Sequence, residues 1–148
     1  RQLNATAGLS DPDEIEAAIR GIAQDLDGNE LAKIPDLVAN ARLTYRYPIE
    51  TASLSGVLSS TLSYRHRGEY FNRVFNNEAR DLVPSYDLVD LNFAFVPNRG
   101  DWELELNVQN LFNDDEVSSV HTDTFFQGVT SFELLPPRMV TLKARYDF

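Results

Sequence analysis

The final eleven residues, Arg138 to Phe148 (RMVTLKARYDF), constrain the fold more than any other stretch of this sequence. Val140, Leu142, Ala144, Tyr146 and Phe148 are apolar, while Met139, Thr141, Lys143, Arg145 and Asp147 between them are mostly polar or charged. A period of two marks a strand with one greasy and one wet face. A phenylalanine stands last, where a soluble domain usually carries a frayed polar tail. That ring is at home if the strand turns it toward hydrocarbon. At roughly 3.3 Å per residue the stretch runs about 36 Å. Tilted by roughly 40° it rises about 28 Å, near the ~25 Å apolar band of an outer-membrane barrel. The same pattern suits an amphipathic strand of a soluble sandwich, so the neighbouring segments must decide.

Four earlier segments repeat the pattern, about 37–47, 51–67, 85–96 and 101–112. In the first, Leu37, Ala39, Ala41, Leu43, Tyr45 and Tyr47 face one way and Asn40, Arg42, Thr44 and Arg46 the other. Ala52, Leu54, Leu58, Leu62 and Tyr64 alternate with Ser53, Ser55, Ser59, Thr61, Ser63 and Arg65. Val89, Leu91, Phe93 and Phe95 oppose Asp90 and Asn92, and Trp102, Leu104, Leu106 and Val108 oppose Glu103, Glu105, Asn107 and Gln109. The connections, about 47–52, 68–84, 97–101 and 113–137, alternate short and long. Membrane barrels have short turns at one rim and long loops at the other, whereas a soluble meander more often keeps every turn short.

The aromatic residues collect by height. Tyr45, Tyr47, Phe95, Trp102, Tyr146 and Phe148 fall on the apolar face near the short turns, and Tyr64 and Phe112 near the long loops. Rings at two levels are what an interface with lipid headgroups favours. Between them the apolar face carries no Lys, Arg, Asp or Glu; a Lys or Arg at mid-bilayer would cost roughly 2–4 kcal/mol. The expected fold is therefore all-β: an antiparallel up-and-down transmembrane barrel portion of about five strands. Leu104→Arg is expected to abolish assembly if that side chain faces lipid.

The chain has 148 residues, one domain's worth, and no cysteine, which excludes disulfides and Cys-based zinc sites. No apolar run approaches the ~18 residues of a membrane helix. The net charge of −10 is concentrated in two segments. Residues 11–36 carry Asp11, Asp13, Glu14, Glu16, Asp25, Asp27, Glu30 and Asp36 against Arg20 and Lys33, and 113–137 carries acids with no Lys or Arg. That balance argues against nucleic acid as a partner. Within residues 1–35, read as an outer loop whose first residues could be a frayed strand end, Asp11, Pro12 and Glu14 open a helix over about 12–27 that Gly28 stops. Its Ile15, Ala18, Ile19, Ile22 and Leu26 form one apolar stripe.

Asn107-Val108-Gln109-Asn110-Leu111-Phe112-Asn113 resembles the N-x-x-N-L-F-[DN] segment near the end of TonB-dependent outer-membrane receptors. Pro137-Arg138 followed by Tyr146-Asp147-Phe148 is similar to the Pro-Arg opening and aromatic-x-Phe ending of that family's closing strand. Gly28-Asn29-Glu30-Leu31 with Pro35, and Pro84-Ser85-Tyr86 with Asp90, resemble its strand-opening motifs. The likeness spans about 28–148 and departs at Glu116, where many members place a Tyr. It implies that residues 1–148 are a C-terminal barrel segment in a bacterial outer membrane, without the plug domain or the segment that engages TonB. The remaining barrel strands, the plug, membrane lipid, TonB, the barrel assembly machinery and a small-molecule ligand would be its partners. The function implied is energy-coupled uptake of a scarce solute: siderophore-bound iron, cobalamin, haem or an oligosaccharide. Asn107, Asn110, Leu111 and Phe112 carry the motif; Tyr146 and Phe148 would act as the assembly signal, with Trp102 and Phe112 in the aromatic girdles. Asn110 is expected at the outer rim, its amide bonding loop backbone.

No catalytic or cofactor chemistry stands out. Asn113-Asp114-Asp115-Glu116 lacks the spacing of a calcium loop, His66 and His121 are isolated in sequence, and strand alternation alone accounts for Glu103 and Glu105. The competing reading is a soluble antiparallel β-sheet module that binds a ligand in a groove.

Overall fold

The computed structural model describes residues 11–13, 25–122 and 129–148. Strands β1 (Val38–Glu50), β2 (Ser55–Arg67), β5 (Tyr86–Pro97), β6 (Trp102–Gln109) and β9 (Met139–Tyr146) form one antiparallel sheet in the order β1-β2-β5-β6-β9. The register explains why this sequence makes this sheet. Tyr45, Ser60, Phe93, Leu106 and Leu142 stand opposite one another across all the strands, and so do Thr44, Thr61, Asn92, Asn107 and Thr141 one residue away. A slip of one residue in any strand would turn a greasy row into the polar face.

Neither face of this sheet holds the core. Leu43, Tyr45, Val140 and Leu142 are 67%, 64%, 64% and 71% exposed on the apolar side. The buried hydrophobic residues among those described are Val83, Tyr86, Val120 and Leu135, all at or beyond the strand ends on the long-loop side. The long connections there are not structureless. The first carries a small hairpin, β3 (Tyr70–Phe71) with β4 (Leu82–Val83), and a helical turn at Glu78–Asp81. The second carries a hairpin, β7 (Val117–Thr122) with β8 (Thr130–Leu134). Two-residue strands have no period to detect, which is why alternation misses β3 and β4.

Strand ends shift for local reasons. Pro48 does not turn the chain; it pairs opposite Val57 and β1 runs on to Glu50. Within the described sheet β1 is an edge strand, a position that accommodates a proline. The turn instead spans 51–54, where the Thr51 hydroxyl donates to the Leu54 carbonyl at 2.9 Å and accepts the Leu54 N–H at 3.0 Å. Strand β6 stops at Gln109, short of Phe112, because Asn110 takes φ +50°. Of the helix expected over about 12–27, residues 14–24 lie outside the described residues; at its start the Asp11 carboxylate accepts the Asp13 N–H at 2.9 Å. Gly28 sits at φ +81° in a turn closed by the Asn29 N–H on the Leu26 carbonyl.

Gly56, opposite Pro97, lets β2 and β5 close at the short-turn rim. A Cβ there would stand 2.5 Å from the Val96 carbonyl, 2.6 Å from the Phe95 ring and 2.8 Å from Pro97 Cα. Two of those atoms are backbone, so rotating a side chain cannot relieve the clash. The ring therefore fills the space a side chain would take, as aromatic residues do over strand glycines. Gly56→Val should destabilise the folded sheet by about 1–3 kcal/mol, read as an earlier midpoint for loss of the compact species on heating in detergent.

Candidate functional site

The candidate site has three parts: an apolar outer wall, a polar inner wall, and a cap of connecting segments at one rim. On the outer wall, Trp102 is half-buried opposite Tyr146, with its ring centroid 5.5 Å from that of Phe95. Tyr146 meets Phe148 edge-on at 5.0 Å, and Phe148 is fully exposed. Phe112, 66% exposed, lies beyond the other end of β6, ten residues from Trp102. The strand from Trp102 to Gln109, at roughly 3.3 Å per residue and a tilt near 40°, rises about 18 Å before the turn that carries Phe112. At the same loop end Tyr64 donates to Asp87 at 2.6 Å, and His66 Nδ1 lies 2.9 Å from the same oxygen. His66 thus has a carboxylate partner, and His121 lies apart from it, exposed on β7.

The inner wall is a polar ladder. Thr44 and Thr61 share a hydrogen bond at 3.1 Å, and the Asn92 amide donates to Glu105 at 2.8 Å. Lys143 reaches the other Glu105 oxygen at 3.5 Å, and Glu103 stands opposite Arg145, which bonds Asp147. Asn107 lies on this wall between Asn92 and Thr141. A depression of about 450 Å³ is lined by Asn40, Arg42, Ser63, Arg65 and Asp90. A neighbouring one of about 340 Å³ adds Thr61, Asn92, Asn107 and Gln109. Among the described residues no group of three or more His, Cys, Asp or Glu is placed to hold a metal ion.

The cap is knit by specific polar contacts. The Asn110-Leu111-Phe112-Asn113 segment is a tight turn with left-handed backbone at both asparagines, φ +50° and +61°, closed by the Asn113 N–H on the Asn110 carbonyl at 3.0 Å. Asn tolerates that conformation better than most residues. The Asn110 side chain is 4% exposed and satisfied on every side. Its amide donates to the carbonyls of Asp114 and Pro136, both at 2.8 Å, and its oxygen accepts the Asp114 N–H at 2.9 Å. The Leu111 N–H extends the sheet by bonding the Val89 carbonyl at 2.8 Å, and Asn113 accepts the Arg138 N–H at 2.9 Å. One short turn thus fixes both ends of the second long connection.

Several cap residues carry no sequence signal of their role. Arg67, the last residue of β2, is stacked between Tyr70 and Tyr86, 4.9 and 4.6 Å from their ring centroids, and donates to the Ser118 carbonyl. Asp81 is fully buried, paired with Arg73 at 2.6 Å and accepting the Asn77 N–H. A buried carboxylate of this kind is tolerable only when charge-paired and hydrogen-bonded. The Thr122 hydroxyl donates to the Arg80 carbonyl at 2.9 Å, joining the two hairpins. The segment before β1 joins as well: Asn29 donates to the Val74 carbonyl, and the Glu30 N–H to Asn76.

The family described as TonB dependent receptor-like, beta-barrel matches residues 2–111. Comparisons with curated proteins and with solved structures gave no match. The matched span takes in β1, β2, β5 and β6 and stops inside the Asn110–Asn113 turn; β9 lies beyond it. With an antiparallel sheet greasy on one side, polar on the other and capped at one rim, and with a family match over most of its length, the chain belongs to the TonB-dependent receptor β-barrel family, whose members reside in the outer membrane.

Proposed function

We propose that this chain forms part of the wall and outer cap of a receptor that takes up a scarce solute by energy coupling to TonB. The observation that carries this reading is the apolar row Leu43–Leu62–Leu91–Val108–Val140, continuous across all five strands, exposed at Leu43, Leu62 and Val140 and half-buried at Leu91 and Val108. In water such a face would drive aggregation; against acyl chains it is matched. Each strand's other face is hydrogen-bonding and charged, suited to a lumen filled by water, solute or a plug. Five strands are too few to close a barrel in lipid, for which about eight is the minimum, so the edges of β1 and β9 would pair with further strands. The short-turn rim would face the periplasm and the capped rim the exterior. Tyr146 and Phe148 would serve as the assembly signal and, with Trp102, complete the inner girdle, while Phe112 marks the outer one.

The test is fractionation of the full-length protein with its migration on gels before and after heating. Recovery in the outer membrane as a heat-modifiable species is expected, and Leu104→Arg should deplete it. A freely soluble, monomeric product would overturn the proposal and favour a sheet module that binds its ligand in water. Growth under iron limitation, with and without the gene, would separate siderophore uptake from the other solutes.

A further inference from the structure

The inner wall is unevenly charged. On β5, β6 and β9 and just beyond, the acids lie against donors: Glu105 holds Lys143 and Asn92, Asp147 takes Arg145, Asp90 accepts the Asn110 N–H at 2.9 Å, and Glu103 stands at the register position opposite Arg145. On β1 and β2 the inward charges are Arg42, Arg46, Glu50, Arg65 and Arg67; Glu50 ends β1 at the short-turn rim and Arg67 is held in the cap, and among the described residues Arg42, Arg46 and Arg65 form no ion pair or side-chain hydrogen bond. Arg65 already has a strand on each side, and its opposite residues, Asn40 and Leu88, are uncharged. Closing the barrel beyond β1 therefore places no new strand beside it.

Arg42 pairs across from Ser63 and Arg65 from Asn40, so the two guanidinium groups occupy diagonal positions, about 7–8 Å apart at the backbone. Two like charges so placed repel unless something negative lies between them. They line the 450 Å³ depression with Ser63 and Asn40 as further donors, a volume in the range of small-molecule sites. Asp90 is the carboxylate on that lining, and one of its oxygens is already engaged by the Asn110 N–H. Arg65 lies two residues before the end of β2, directly beneath the cap.

We infer that Arg42 and Arg65 form an anion subsite on the inner wall, taking a carboxylate or phosphate group of a small solute below the cap. The inference rests on the receptor reading above and narrows its solute to an oxyanion-bearing one. A planar guanidinium presents paired N–H donors that match the two oxygens of such a group. The acidic residues of the cap oppose entry of an anion. Their field decays over about 8 Å at physiological salt, whereas the two arginines would contact the bound group directly.

The experiment uses the full-length receptor in detergent, with citrate and inorganic phosphate as probes at constant ionic strength. Binding is followed by calorimetry and by the heating midpoint of the compact species. One or both probes should bind and raise the midpoint, and Arg42→Gln and Arg65→Gln should each weaken that binding at least tenfold. Arg99→Gln, in a short turn at the other rim, should leave it unchanged. Absence of binding by both probes to the unaltered receptor, or equal binding by the Arg42→Gln/Arg65→Gln double variant, would overturn the subsite. If that double variant instead makes cells sensitive to vancomycin while the unaltered receptor ignores both probes, the arginines hold a protein filling of the lumen, and the solute assignment falls. Fractionation to the outer membrane is scored separately, so a failed subsite remains distinguishable from a failed receptor.

Discussion

Leu142→Arg should nearly eliminate the folded, heat-modifiable receptor, whereas Thr141→Arg, one residue earlier, should lower it far less. Leu142 stands near the middle of β9, opposite Leu106, and is 71% exposed in the sheet. In water that exposure would make Arg harmless, since surface substitutions usually stay within about 0.5 kcal/mol. Facing lipid near the midplane, the same guanidinium costs about 2–4 kcal/mol, a shift of roughly 30- to 1,000-fold in the assembly equilibrium. Thr141 belongs to the polar row with Asn107, where a charge meets hydrogen-bonding neighbours. The pair of variants thus distinguishes the two solvents by one residue of register. Normal levels of the Leu142→Arg receptor would rule out lipid on that face.

Asn110→Asp should loosen the cap while leaving the barrel wall in place. The change is isosteric, but it replaces an amide that donates to the carbonyls of Asp114 and Pro136 with a carboxylate that repels both. Each buried acceptor left without its donor costs about 1–3 kcal/mol, so a loss of roughly 2–6 kcal/mol of local stability follows, more if the carboxylate stays charged. Asn110→Gly separates the causes. It suits the φ of +50° but removes the same donors, and it should fall between the parent and Asn110→Asp. The measurement is protease cleavage of residues 113–137 on intact cells: rapid for Asn110→Asp, intermediate for Asn110→Gly, slow for the parent. Equal cleavage of all three would show that the amide does not hold that connection.

The wall was legible because its signal is repeated and directional. One period of two shared by Leu43, Leu62, Leu91, Leu106 and Leu142 fixes the face and excludes odd shifts of register, and the alternation of short and long connections fixes the order of the rims. The cap was not legible. Tyr70-Phe71 and Leu82-Val83 are too short to show a period, and the partners of Asp81, Thr122 and Arg67 depend on which hairpins meet. The connection expected at about 47–52 begins later, because β1 carries Pro48 opposite Val57 near its end. Asn110 was legible as a motif residue and as an amide for loop backbone, yet its left-handed turn and two specific carbonyl partners follow only from the folded chain.

Among the described residues, burial of large side chains is concentrated at the cap, where Val83, Val120, Leu135 and Asp81 lie beyond the sheet. In the proposed receptor a single polypeptide would therefore answer to two different media. Substitutions in the cap are judged by aqueous rules, in which a lost methyl group or an orphaned carboxylate is penalised; those in the wall are judged by the acyl layer, which accepts almost any greasy residue and rejects charge. On that reading the cap and the wall would tolerate different substitutions, the cap accepting change in its exposed polar residues and the staves beneath it staying interchangeable.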